Sequence, residues 1–318
     1  MLREAFWYIA TRIHYYFDGT YTQKVLFSTW DFFTQLLIYF VIGILVASLI
    51  SVFWKKEQVA AFFHGRSGST IIAAVIIGIV SPMPTYVAIP LVAALFSIGV
   101  PAPPLFAFLV ASPLMNPILF FMTAGAFGYE MAVILLLSAF VLGTTAGFLL
   151  KAGLSREWFR KFLFARNSAP AQNYQGREKS RTYAELLKDF GHQMYRMTRF
   201  AFKYFALGII IAALVKELVP ASAISAMLGD NREYSVLVAV AAGVPLYACG
   251  GGAIPVMKTL QDLGLDKGAV LAFFISGPAT KLSTLVALRA AFSGAAFIVY
   301  LAVALLGASL FGIIYNLW

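Results

Sequence analysis

The alternation of apolar and polar positions divides the chain into eight long apolar blocks separated by shorter polar stretches: Phe32–Trp54, Thr70–Phe96, Leu105–Phe127, Met131–Leu150, Phe200–Val219, Ser235–Met257, Ala269–Leu288 and Ala295–Tyr315. Each reaches the roughly 20 residues that a helix needs to cross about 30 Å of hydrocarbon. None alternates with a period of two, as the strands of a membrane barrel do, and the blocks are apolar all round. The pattern predicts an all-α polytopic membrane protein of about eight hydrophobic helical segments. Composition agrees, since 61% of the 318 residues are hydrophobic and 12% charged, against roughly 25% charged in soluble domains.

The first thirty residues precede the first block. They lack the charged, apolar and small-residue zones of a cleavable signal. Their aromatics, Trp7, Tyr8, Tyr15, Tyr16, Phe17 and Trp30, suit the headgroup level, so residues 1–30 are expected to form an amphipathic interfacial segment. The net charge of +10 is concentrated between Ala152 and Arg196. That excess marks residues 152–196 as a cytoplasmic loop near anionic lipid rather than a nucleic-acid patch. Inside it, Asn167–Asn173 and Gly176 read as a flexible linker. The units are therefore 1–30, a first membrane unit 31–151, the basic loop 152–196 and a second membrane unit 197–318, set in the cytoplasmic (inner) membrane. A small-molecule substrate and membrane lipids are the expected partners, with no nucleic acid and room for a homo-oligomer. No cofactor is expected, and a single cysteine excludes an internal disulfide and a multi-cysteine metal site.

Sliding the chain against itself by 165 residues aligns Tyr39, Phe40, Gly43 and Ile44 with Tyr204, Phe205, Gly208 and Ile209. At the same shift Gly78 falls on Gly243, Ala88-Ile89-Pro90 on Ala253-Ile254-Pro255, Ala107-Phe108 on Ala272-Phe273, Pro113 on Pro278 and Gly147 on Gly312. From Tyr39 to Phe148 there are 23 identities in 110 ungapped positions. Apolar composition inflates chance matches, but coincident Gly and Pro positions do not follow from composition, so the membrane units read as two homologous repeats.

Both repeats carry breaks at matching places. Ser81-Pro82-Met83-Pro84 and Ser112-Pro113-Leu114-Met115-Asn116-Pro117 interrupt blocks of the first; Pro245–Pro255, enclosing Cys249, Gly250, Gly251 and Gly252, and Ser276-Gly277-Pro278-Ala279-Thr280-Lys281 interrupt the second. Proline removes a backbone donor and clashes with the preceding turn, and a glycine triplet forfeits helix propensity. A lone proline merely kinks a helix. Paired breaks at equivalent positions predict broken or re-entrant helices around one cavity, the sequence pointer to a transporter site. Loop charge favours an inverted repeat, because Lys55, Lys56 and Arg66 make one connection basic while its counterpart balances Lys216 and Arg232 with Glu217, Asp230 and Glu233.

Chemistry is sparse. There is no phosphate-binding loop or paired His-Glu metal motif, and His14, His64 and His192 lie outside the spans. No catalytic or metal-ligating set is expected, and the chain does not read as an enzyme. The candidate substrate-binding residues are Cys249, Gly250, Gly251, Gly252, Lys281, Asn116, Pro82, Met83, Pro84 and Pro278. Lys281, at the repeat position of Asn116, is either a cavity-facing anion anchor or proton-exchanging group, or a snorkelling lysine. Arg289 and Lys258 lie nearer span ends and read as interfacial. Cys249 offers a soft ligand beside glycines that let backbone approach a ligand, or is a small buried hydrophobe. Met83 can lend a thioether or fill a gap.

At these motifs the sequence resembles the predicted permeases that include the ArsP-type organoarsenical efflux permeases. The resemblance rests on Ala253-Ile254-Pro255, the Leu-Gly-Leu turn at Leu263–Leu265, Ala272-Phe273 through Ser276-Gly277-Pro278-Ala279-Thr280, and the counterparts Ile89-Pro90 and Ala111–Pro117. It implies thiol-assisted export of soft metalloids. Members commonly carry cysteines just ahead of the first Ile-Pro, where this chain has Met83-Pro84-Thr85-Tyr86, so a dithiol cage is excluded. Export of a trivalent organoarsenical through Cys249 alone, transport of a sulfur- or phosphorus-containing anion, a passive channel and a thiol redox enzyme are the alternatives.

Overall fold

The computed structural model describes residues 21–53, 68–81, 92, 95, 100–154, 183–218, 232–246, 250–281, 285 and 294–318. The described residues form α1 (Tyr21–Phe53), α2 (Gly68–Val80), α3 (Ala102–Leu114), α4 (Pro117–Phe127), α5 (Tyr129–Leu154), α6 (Tyr183–Leu218), α7 (Arg232–Leu246), α8 (Gly250–Asp262), α9 (Lys267–Ala279) and α10 (Gly294–Leu317). Among the described residues five stretches are long and apolar enough to cross a membrane: Tyr21–Ile50, Ala102–Phe127, Tyr129–Leu154, Leu186–Leu218 and Phe297–Leu317. Shorter apolar helices, Gly68–Val80, Tyr234–Gly243 and Lys267–Ala279, lie among them. The protein is an all-helical, multi-pass membrane protein.

Two helices run across the expected unit boundaries. Helix α1 begins at Tyr21, so residues 21–30 continue directly into the first span, with Trp30 stacked on Phe33. The remainder of the expected interfacial segment lies outside the described residues. Helix α6 begins at Tyr183, so residues 183–196 of the expected loop are helical; the Asn167–Asn173 linker lies outside the described residues.

Large apolar side chains face outward on the long helices, among them Ile38 and Leu49 on α1, Leu137 on α5, Leu207 on α6 and Leu306 on α10. In water such a surface would aggregate; around a membrane protein it is the lipid contact. Inside, where no hydrophobic effect drives helices together, contact depends on small residues that let backbones approach.

Helix α2 packs against α3 and α5, and α7 packs against α9 and α10. The details coincide. A Cβ added to Gly147 on α5 would collide with Ile71 and Ala107; one added to Gly312 on α10 would collide with Val236 and Ala272, the residues 165 positions further on. Likewise Gly78 abuts Ala111 and the Ser112 amide, while Gly243 abuts Ser276 and the Gly277 amide.

Among the contacts between the two halves are two antiparallel pairs. Along α1 and α6, Ser28 Oγ donates to Glu217 (2.7 Å), Phe40 stacks on Phe205, and Ser48 Oγ contacts the Met197 sulfur (3.8 Å), so residue numbers rise on one helix as they fall on the other. Along α5 and α10, Tyr315 donates to Glu130 (2.9 Å) and Leu142 fills the space beside Gly307. Phe205 and Gly307 stand 165 residues after Phe40 and Leu142. Each pair therefore joins two positions matched by the sequence shift.

Candidate functional site: a ring of interrupted helices

The block Leu105–Phe127 breaks where α3 ends and α4 begins. Pro113 lies inside α3 and Pro117 opens α4, with Met115 and Asn116 extended between them (φ −146°, ψ 141° and φ −156°, ψ 166°). Proline at the first turn loses nothing, because its N–H would have no helical partner there. Asn116 caps the new helix: its side-chain oxygen accepts from the Leu119 amide at 2.9 Å, satisfying one of the four orphan donors.

The matching break in the second half follows α9. Pro278 is buried within the helix, which continues to Ala279 and ends inside the expected Ser276–Lys281 motif. The break comes at Thr280, whose hydroxyl donates back to the Ser276 carbonyl at 2.8 Å. The fully buried Tyr300 hydroxyl reaches across from α10 and donates to the Ala279 carbonyl at 3.0 Å. Beyond the break the Lys281 carbonyl accepts from the Leu285 amide at 3.0 Å, just as the Asn116 carbonyl accepts from the Phe120 amide at 2.9 Å. Lys281 is half-buried at this junction.

Helix α7 is described as far as Leu246 and α8 from Gly250, and residues 247–249 lie outside the described residues. Gly250, Gly251 and Gly252 form the first turn of α8, and Pro255 follows in its second turn. The absence of a side chain is used at once: a Cβ on Gly208 of α6 would overlap the Gly252 carbonyl. At the matching place on α1, a Cβ on Gly43 would lie 2.9 Å from the Ile118 Cα near the start of α4. The starts of α4 and α8 are thus both seated on glycines three residues beyond the stacked pair Phe40 and Phe205.

Helix α4 packs on α8, α8 on α9, and α9 on α3. This brings the elements bearing Asn116, Gly250–Gly252, Pro278 and Lys281 into one ring. Pro82, Met83, Pro84 and Cys249 lie outside the described residues. Sequence reasoning passed over three hydroxyls here. Tyr300 closes the α9 end, and Ser112 Oγ and Thr123 Oγ1 are buried without a hydrogen-bond partner among the described residues. Ser112 sat within a noted break motif. Thr123 and Tyr300 carry no local signal, because only tertiary contacts distinguish them from other polar residues in apolar blocks. Among the described residues no three His, Cys, Asp or Glu side chains converge to hold a metal.

Apolar helices that break off, with their ends capped by side chains and packed on one another, are compatible with the broken helices of transport proteins. Residues 26–317 match the family described as predicted permease, ArsP_1. The chain belongs to that predicted permease family. Among curated relatives, this permease is 24% identical over 256 residues to UPF0718 protein YcgR of Bacillus subtilis, covering 80% of this chain and 84% of the relative. It is 22% identical over 130 residues to UPF0718 protein MJ0584 of Methanocaldococcus jannaschii, covering 41% of this chain and only 36% of that relative. No solved structure matches it. Membership places the protein with transporters rather than enzymes, in agreement with the sequence expectation.

Proposed function

We propose that this permease moves a small solute by alternating access of two inverted, homologous halves around the ring of interrupted helices. The observation that carries the reading is the contact of matched positions, Phe40 on Phe205 and Leu142 beside Gly307, across two antiparallel helix pairs. Two copies related by a two-fold axis in the membrane plane bring equivalent residues face to face at that axis. The equivalent packing around Gly147 and Gly312 supports the same duplication.

The substrate reading follows from the resemblance: export of a trivalent organoarsenical or another soft metalloid compound, with Cys249 as its thiol ligand ahead of the glycines that open α8. The basic stretch at 152–196 sets that side as cytoplasmic, in the inner membrane. A second reading, a small sulfur- or phosphorus-containing anion, is favoured by the buried hydroxyls of Ser112 and Thr123, the amides at the starts of α4 and α8, and Lys281.

Thermal unfolding of the purified protein separates the two, since a ligand that binds only the folded state raises the midpoint. Stabilisation by arsenicals in wild type but not in Cys249→Ser supports the soft-ligand exporter. Stabilisation by anions in both, lost in Lys281→Ala, supports the anion reading. Transport that only dissipates a gradient, and never runs uphill, contradicts the alternating-access mechanism and leaves a passive channel.

A further inference from the structure

Helix α6 carries a row of cations on one outward face. Lys188, Arg196, Arg199 and Lys203 are all exposed and recur, with exposed His192 between the first two, at intervals of three or four residues. They therefore share one stripe of the helix. The stripe continues without a turn of the helix into Leu207, Ile211 and Leu214, which are exposed and apolar. Among the described residues none of the four cations forms an ion pair.

The antiparallel register with α1 fixes their depth. Glu217 lies beside Ser28, Phe205 on Phe40 and Met197 beside Ser48. In that one-to-one register Lys203 stands level with Ile42 and Arg196 level with Leu49, both exposed apolar residues on the lipid side of α1. From Lys203 to Leu218 the helix covers about 22 Å, short of the roughly 30 Å of hydrocarbon. Lys203 and Arg199 thus lie within the apolar belt that α1 defines, and a cation facing outward there needs an anionic or wet environment.

We propose that this stripe is a binding site for an anionic phospholipid, whose phosphate is drawn below the headgroup plane by Arg196, Arg199 and Lys203 and whose acyl chain lies along Leu207, Ile211 and Leu214. Long cationic side chains reach toward a headgroup while their stems stay in apolar contact, and arginine presents a fork that matches phosphate geometry. The row of cations followed by apolar residues has the polarity of a phospholipid: phosphate first, tail beyond. A free phosphate would use the cations and leave the apolar row without a role. The site lies on the face of α6 away from α8 and so is separate from the ring of interrupted helices.

Native mass spectrometry and thermal unfolding of the whole protein in neutral detergent test this, with phosphatidylglycerol, phosphatidylcholine and inorganic phosphate as probes. Phosphatidylglycerol is retained and raises the midpoint, increasingly so at low salt, while phosphatidylcholine and inorganic phosphate do neither. Arg199→Gln and Lys203→Gln each weaken retention about fivefold, Arg199→Lys loses less, and Lys258→Gln, at an exposed pair with Asp262 elsewhere on the surface, changes nothing. Equal retention of the two lipids by wild type overturns the proposal without recourse to any variant. So does full phosphatidylglycerol retention by the glutamine variants. Variants that instead change the oligomeric state, with lipid retention unchanged, make the stripe a contact between copies.

Discussion

Phe40 and Phe205 stack with centroids 4.6 Å apart and planes 12° from parallel, although 165 residues separate them in sequence. Both are almost fully buried, and both precede by three residues a glycine on which an interrupted helix rests. The contact joins α1 to α6 at the centre of their antiparallel crossing. It should behave as a coupled pair. Phe40→Leu and Phe205→Leu are each expected to destabilise the protein, and the double variant to cost less than the sum by about 0.5–1.5 kcal/mol, the worth of an aromatic pair beyond its area. Additive losses in reversible unfolding would place the stabilisation in separate contacts of each ring.

Close helix approach predicts opposite outcomes at two glycines of one helix. At Gly208 an added methyl meets the Gly252 backbone, which cannot rotate away, so Gly208→Ala should separate α6 from α8, cost about 1–3 kcal/mol and disturb the first turn of α8. At Gly191 nothing lies within 4 Å. There Gly191→Ala should stabilise by about 0.5–1 kcal/mol through the helix propensity gained. The shift in unfolding midpoint of each variant checks the signs, and equal signs would contradict the packing described.

The Tyr300 hydroxyl supplies the partner that the end of α9 lacks within its own helix. Tyr300→Phe keeps the ring and its edge contact with Phe106 but removes the hydroxyl that donates to the Ala279 carbonyl. The expected cost is about 1–3 kcal/mol, concentrated near Lys281, where hydrogen exchange of the Thr280 and Leu285 amides should accelerate. A loss of stability with no change in exchange there would mean that the hydroxyl does not hold the break.

The positions of the breaks were legible to within a few residues, and their chemistry less so. Pro113 and Pro117 bracket Met115–Asn116 because one proline weakens the preceding turn and the other is tolerated only at a helix start. In the motif Ser276–Lys281 the helix ends two residues after Pro278, since losing a single backbone bond does not stop a helix that is buried along its whole length. Residues 183–196 read as loop from their charges, yet the helix is supported by its apolar face, where Met194 and Met197 pack against the core. The shift of 165 residues pairs Phe40 with Phe205 and Leu142 with Gly307 in sequence; that these pairs touch is visible only in the packing. Tyr300 was invisible as a cap, since a tyrosine near a block end reads equally as an interfacial anchor.

The most direct test of the central claim, two inverted halves, is the sidedness of matched positions. Tyr129 opens α5 beside the carboxyl end of α10, where Tyr315 bonds Glu130, and Gly294 opens α10 at its other end. The 24 residues of α10 span about 36 Å. Tyr129 is exposed and Gly294 has open space for a side chain. In a Cys249→Ser background, Tyr129→Cys and Gly294→Cys should react with a membrane-impermeant maleimide from opposite faces, one in intact cells and the other only in inside-out vesicles. Labelling of both from the same face would contradict the inverted arrangement and, with it, the mechanism proposed for this permease.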